Sequence, residues 1–147
     1  MFKNILLPTD GSDCAEQAVL YVKGLATQYG ATVHVLHVIN TPLVLSLPGV
    51  PQERVKDSMR EEGKRIIEKV IQELGSLSAE GRVQDGDPAE QIIAYTEEME
   101  IDLIVMGTHG RSGLERILLG SVAEAVVRMS PVPVMVIPMS SIPKSQS

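Results

Sequence analysis

The chain has 147 residues, a formal net charge of −6 and a pI near 5.0, which suits one domain and argues against nucleic acid or an anionic membrane as its main partner. A single cysteine, Cys14, excludes an intramolecular disulfide and fits a reducing compartment, and no apolar run nears the ~20 residues needed to span a bilayer, so the expected location is the cytoplasm. Trp is absent and aromatics are scarce, which removes the stacking platforms of single-strand nucleic-acid binders.

Phe2 to Leu7 reads as a buried strand that ends at Pro8-Thr9-Asp10-Gly11, and Pro8 cuts the apolar run too short for a signal peptide. Ser12 or a neighbour caps a helix with Ala15, Ala18, Val19, Val22, Leu25 and Ala26 on its apolar face, and Gly30 ends it. Ala31 to Ile39 is a second strand. The following stretch, NTPLVLSLPGVPQE, is apolar yet broken by Pro42, Pro48 and Pro51, so a loop is expected there. Glu53 to Leu74 has the helical period, with Val55, Met59, Ile66, Ile67, Val70 and Leu74 on one side and Gly75 as its stop. A third strand near Glu80 to Gln84 is weakly signalled, because Gly81 and polar residues interrupt it. Asp87-Pro88-Ala89-Glu90 opens a helix with an Asp cap and a proline at the first helical position, and Ile92, Ile93 and Thr96 carry its inward face toward Met99.

The aliphatic run Ile101 to Met106 predicts a fourth strand buried on both faces. Gly107, Thr108, His109, Gly110, Arg111, Ser112 and Gly113 follow it, a loop whose backbone can approach a ligand closely. A helix then runs from Ser121 to Met129, with Ser121 expected as N-cap and Glu124 closing a capping box. Such a helix start offers free N–H groups and a positive dipole end to an anion. The plainer alternative is that the glycines only make a tight strand-to-helix connection, which accounts for one or two of them. Pro131-Val132-Pro133 breaks the helix, Val134 to Ile137 forms a fifth strand, and the tail 140–147 is expected to be disordered beyond a single domain, 1–139. Alternating strands and helices imply an α/β, doubly wound parallel sheet with helices on both faces.

Gly107, two residues, Gly110, nine residues and then Gly120-Ser121 is a pattern that resembles the ATP-binding branch of the universal stress protein family. The resemblance extends to NILLPTDGSDCAEQA, DGDPAEQII and PVPVMVIP, and so spans nearly the whole chain. It implies a Rossmann-like sheet in the order 3-2-1-4-5, with the first and fourth strands as neighbours whose crossovers leave toward opposite faces. Ligands sit at such a switch point, beyond the carboxyl ends of the strands. There the Pro8-Thr9-Asp10 turn would face Gly107 across a crevice. By the same resemblance Asp10 contacts the ribose with Gly107 assisting, the Val38 backbone meets the adenine edge, and Gly110, Arg111, Gly120, Ser121 and Val122 surround the phosphates. Asp10 also has a bland reading, as a cap of the first helix. His109, between the paired glycines, is equally a phosphate contact or an exposed spacer.

Other chemistry is thinly represented. His34 and His37 lie on the second strand, where a histidine is usually structural, and the three histidines and Cys14 form no metal-ligand cluster. A magnesium ion bridging ATP phosphates needs few protein ligands. Cys14 reads as a packing residue. GxxxxGK[ST], GxGxxG after the first strand and GxSxG are all absent. The expected function is that of an ATP (or AMP or ADP) binding stress sensor or regulator, with slow or no hydrolysis, no catalytic residue assigned, and homodimerisation through Val134 to Ile137. An ATP-hydrolysing enzyme on the same fold and an interaction module that binds no nucleotide are the alternatives.

Overall fold

The computed structural model describes residues 1–108 and 119–138. Five strands, β1 (Asn4–Pro8), β2 (Thr32–Asn40), β3 (Ala79–Gly86), β4 (Leu103–Gly107) and β5 (Val134–Ile137), pair in parallel in the order β3-β2-β1-β4-β5. The order expected from the family resemblance is the one found. Between them run helices α1 (Asp13–Tyr29), α2 (Thr41–Leu45), α3 (Gln52–Leu74), α4 (Pro88–Glu98) and α5 (Ser121–Met129).

Side chains alternate along each central strand, so both faces of the sheet are apolar. Ile5 and Leu7 of β1, with Val33, Val35 and Val105, pack under α1 and α3 on one face. Leu6, Leu36, Ile104 and Met106 pack on the other against Ile92 and Tyr95 of α4 and Ala123 and Val126 of α5. The inward face of α4 therefore includes Tyr95, which the sequence reading passed over, while Ile93 is only half-buried.

Local chemistry explains most boundaries. The Ser12 side chain accepts from Ala15 N–H at 3.2 Å and starts α1, and Gly30, at φ 66°, ends it in the left-handed region. Asp87 accepts from Glu90 N–H at 3.1 Å and starts α4. The loop expected after β2 is corrected in one part. Asn40 accepts from Leu43 N–H at 3.1 Å, and Pro42 stands in the first turn of α2, where its missing N–H is not needed. Gly81, which weakened the strand signal of β3, has a packing reason: a Cβ there would run into Ile67 Cγ2 of α3.

Candidate functional site

The carboxyl ends of β1 and β4 lie side by side at the centre of the sheet, held by the register Ile5 to Leu103 and Leu6 to Ile104. β1 ends in a turn fastened from several sides. Thr9 N–H donates to Leu36 O at 2.9 Å, and His37 Nδ1 donates to Thr9 O at 2.8 Å. Gly11 N–H donates to Thr9 Oγ1 at 3.1 Å, and Ser12 N–H donates to Asp10 Oδ1 at 2.9 Å. Pro8 and Thr9 are buried, Asp10 is half-buried and Gly11 is exposed. The helix cap is Ser12, not Asp10.

β4 ends against the first turn of α1. A Cβ on Gly107 would lie 2.8 Å from Cys14 Sγ and 3.0 Å from the Cys14 carbonyl carbon and oxygen, so this position must be bare for packing, whatever else it does. Thr108, buried, donates its N–H to Ile137 O at 3.0 Å and accepts at its carbonyl from Gly120 N–H at 2.7 Å. Cys14 Sγ reaches the same Ile137 O at 3.5 Å and lies 3.5 Å from Thr108 Oγ1. Four elements are thus tied at one point, and Cys14 is a packing residue, as expected. Sequence reasoning missed Thr108 because its partners are remote in the chain.

The Thr108–Gly120 bond brings the start of α5 to the end of β4. Here the expected cap is corrected: Gly120 is the N-cap, extended at φ −67° and ψ 160°, and Ser121 is the first helical residue. Glu124 makes no capping box. Its N–H donates to Gly120 O at 2.9 Å, while its carboxylate pairs with Arg128 at 3.3 Å. The N–H groups of Ser121, Val122 and Ala123 precede that first intrahelical bond, and among the described residues no side chain caps them. Ser121 is exposed, whereas the Val122 side chain packs on the core below α5, leaving its backbone as the usable group.

Val38 lies on β2 beyond the last residue of β1, since Pro8 pairs with Leu36. Leu36 turns its carbonyl to β1, where Thr9 N–H takes it, and peptide groups alternate sides along a strand. The Val38 N–H and C=O therefore point the same way as those of Leu36, past the end of β1 and into the crevice. Its side chain packs on the α4 and α5 face. Of the expected site residues, Pro8, Thr9, Asp10, Val38, Gly107, Gly120, Ser121 and Val122 thus share the carboxyl edge of the sheet. His109, Gly110 and Arg111 lie outside the described residues.

The remaining polar groups belong to the scaffold. His34 is buried below the crevice, 2.7 Å from Tyr95 Oη through Nδ1 and 3.1 Å from Asn4 Oδ1 through Nε2, and burial holds its pKa below the usual 6.5. A shallow depression of about 410 Å³ between α3 and β3 is lined by Arg60, Lys64 and Arg82 among others. Arg60 is bonded to both oxygens of Asp85, and Arg82 to Glu98 and Gln84, so its cations are already engaged. Among the described residues no three His, Cys, Asp or Glu side chains meet as a metal site.

Comparison with known proteins adds the kinship. The model of the universal stress protein family matches residues 1–138. Universal stress protein MJ0531 of Methanocaldococcus jannaschii is 36% identical over 140 residues, covering 93% of this chain and 82% of that protein. MJ0577 of the same organism is 35% identical, covering 93% and 95%, and its solved structure superposes with a TM-score of 0.84 over 93% of this chain and 96% of that one. A universal stress protein in complex with cAMP and one from Archaeoglobus fulgidus in complex with dAMP, each 23% identical, share the fold at TM-scores of 0.67 and 0.63.

Proposed function

The chain belongs to the universal stress protein family, and we propose that it binds an adenine nucleotide, ATP foremost, at the carboxyl edge of its sheet and acts as a nucleotide-dependent stress sensor or regulator in the cytoplasm. The observation that carries the reading is the α5 start, where three uncapped N–H groups open beside the end of β4. An anion is the natural occupant of such a helix start. Asp10 stands on the neighbouring strand end to accept from ribose hydroxyls, and the Val38 peptide offers a donor and an acceptor to the adenine edge. Gly120, Ser121 and Val122 hold the phosphates, and Gly110, Arg111 and His109, which lie outside the described residues, are assigned to the phosphates on the family resemblance alone. Magnesium, where present, is carried in by the phosphates and needs few protein ligands. The adenine nucleotides held by two proteins of this fold support the class of ligand.

The residues suit holding more than consuming. Phosphoryl transfer needs a placed nucleophile and charge neutralisation on the transferred group. Between Gly107 and Leu114 the sequence has neither lysine nor carboxylate. Donors that hold ground and transition states alike give affinity without rate, so turnover is expected far below the ~10 per second typical of enzymes. Mass spectrometry of small molecules released from the denatured protein, followed by calorimetry with ATP, tests the binding. Absence of any adenine nucleotide together with no calorimetric signal overturns it. Gly120→Val, which places a side chain where the phosphates lie, is expected to weaken ATP by at least about tenfold. Single-turnover phosphate release at enzyme-like rates overturns the claim of slow hydrolysis and leaves the binding claim standing.

A further inference from the structure

Two consecutive residues of β2 grip the same residue of the β1 turn. The Leu36 carbonyl takes Thr9 N–H at 2.9 Å, and His37 Nδ1 bonds to Thr9 O at 2.8 Å. A carbonyl oxygen only accepts, so Nδ1 carries the proton in this contact. The peptide between Thr9 and Asp10 is planar and trans, with its C=O and N–H on opposite sides. Holding the carbonyl therefore sets the rotation of the whole plane, and with it the direction in which the Asp10 side chain leaves the backbone. The imidazole is itself fixed from behind. A Cβ on Gly63 of α3 would lie 2.6 Å from His37 Cδ2, so the bare helix position forms the seat of the ring. The chain α3, His37, Thr9, Asp10 thus runs from a helix on the sheet's face to the carboxylate at the crevice.

We infer that His37 is a positioning residue of the nucleotide site, which through the Thr9 carbonyl aims the Asp10 carboxylate at the ribose hydroxyls of the ligand. This rests on the nucleotide reading above. It assigns His37 a contact with the protein and none with the ligand, and it makes Gly63 part of the same device.

The test compares ATP with 2′,3′-dideoxy-ATP, which lacks both hydroxyls, by calorimetry on the full chain. Wild type should prefer ATP by about tenfold, the scale of hydrogen bonds to a charged group. In His37→Leu the donor is gone, and the preference should collapse toward about one while dideoxy-ATP affinity holds. His37→Asn, whose amide can stand near Nδ1, should restore it. Gly63→Ala keeps the imidazole but pushes it from its seat, and should reduce the preference as well. Should His37→Leu not fold, Gly63→Ala decides alone. A loss that falls equally on both ligands, or an unchanged preference in the folded variants, overturns the positioning role while the nucleotide reading stands. Wild type that binds neither nucleotide overturns both.

Discussion

His34 shows how one buried residue ties fold stability to pH. Its ring is satisfied when neutral: Nε2–H donates to Asn4 Oδ1, and Nδ1 accepts from Tyr95 Oη. Desolvation lowers the histidine's pKa, the Glu80 charge opposes that in part, and Arg82, 4.7 Å over the Tyr95 ring, adds a smaller repulsion. The unfolded chain takes up a proton near 6.5, and the folded chain only at lower pH. Between those values the unfolded state binds more protons, so stability falls as pH drops below 6.5 and levels off once the folded pKa is passed. The slope from this group is at most about 1.4 kcal/mol per pH unit. Urea titrations between neutrality and pH 5 should show that decline in wild type and a smaller one in His34→Gln, which cannot titrate. Equal slopes would show that the burial of His34 does not govern acid sensitivity. At the other end of the sheet Gly107 is constrained by steric contact alone. Gly107→Ala would press on Cys14 Sγ and on its carbonyl, an overpacking that costs about 1–3 kcal/mol. Adding Cys14→Ala should recover only part of the lost stability, because the backbone contact remains. Full recovery would place the strain in the sulfur alone.

At the level of elements, the start of α5 separates binding from folding. Ser121 is the first helical residue, and Gly120 before it is extended, a conformation that a following proline accepts. Proline is favoured at this position and removes one of the free N–H groups. Ser121→Pro is therefore expected to keep or raise the melting temperature while weakening ATP by about tenfold. Ser121→Ala, which retains the N–H, should lose less. Equal affinities for all three would remove the α5 start from the phosphate site. This helix also marks how far sequence could be read. The caps at Ser12 and Asp87 and the stop at Gly30 were legible because a cap is a contact between near neighbours. The cap of α5 slipped by one residue, since either Gly120 or Ser121 satisfies the local pattern and the Gly120–Thr108 bond decides. The short helix α2 hid behind Pro42, whose effect reverses between the first turn of a helix and its interior. Nothing local announces that His34 meets Tyr95, or that His37 holds Thr9, because those partners are brought together by the sheet. The strand order came with the family resemblance, while the alternation of elements was visible in the hydrophobic period itself.

For the whole molecule the two open edges of the sheet differ. β3 is eight residues long and carries Glu80, Arg82 and Asp85, charges of the kind that keep an edge from pairing with another chain. β5, Val-Met-Val-Ile, has four residues and no charge, and among the described residues it pairs in the sheet with β4 alone. Met135 is 36% exposed on it, and Val127 and Met129 at the end of α5 are exposed at 46% and 43%. An apolar edge of this kind is covered most simply by its own copy across a two-fold axis, where the same surface meets itself. We therefore propose a homodimer contact along β5. Met135 faces outward on the side of the sheet that α1 covers, so a charge there leaves the core intact while setting two like charges near the axis. Met135→Lys should shift the protein toward monomer in sedimentation at micromolar concentration, with an unchanged melting profile at high dilution. Glu80→Lys on the opposite edge should leave the sedimentation as it is. A wild type that sediments as a monomer at that concentration refutes the pairing, and a dimer that survives Met135→Lys but dissolves with Glu80→Lys moves it to β3.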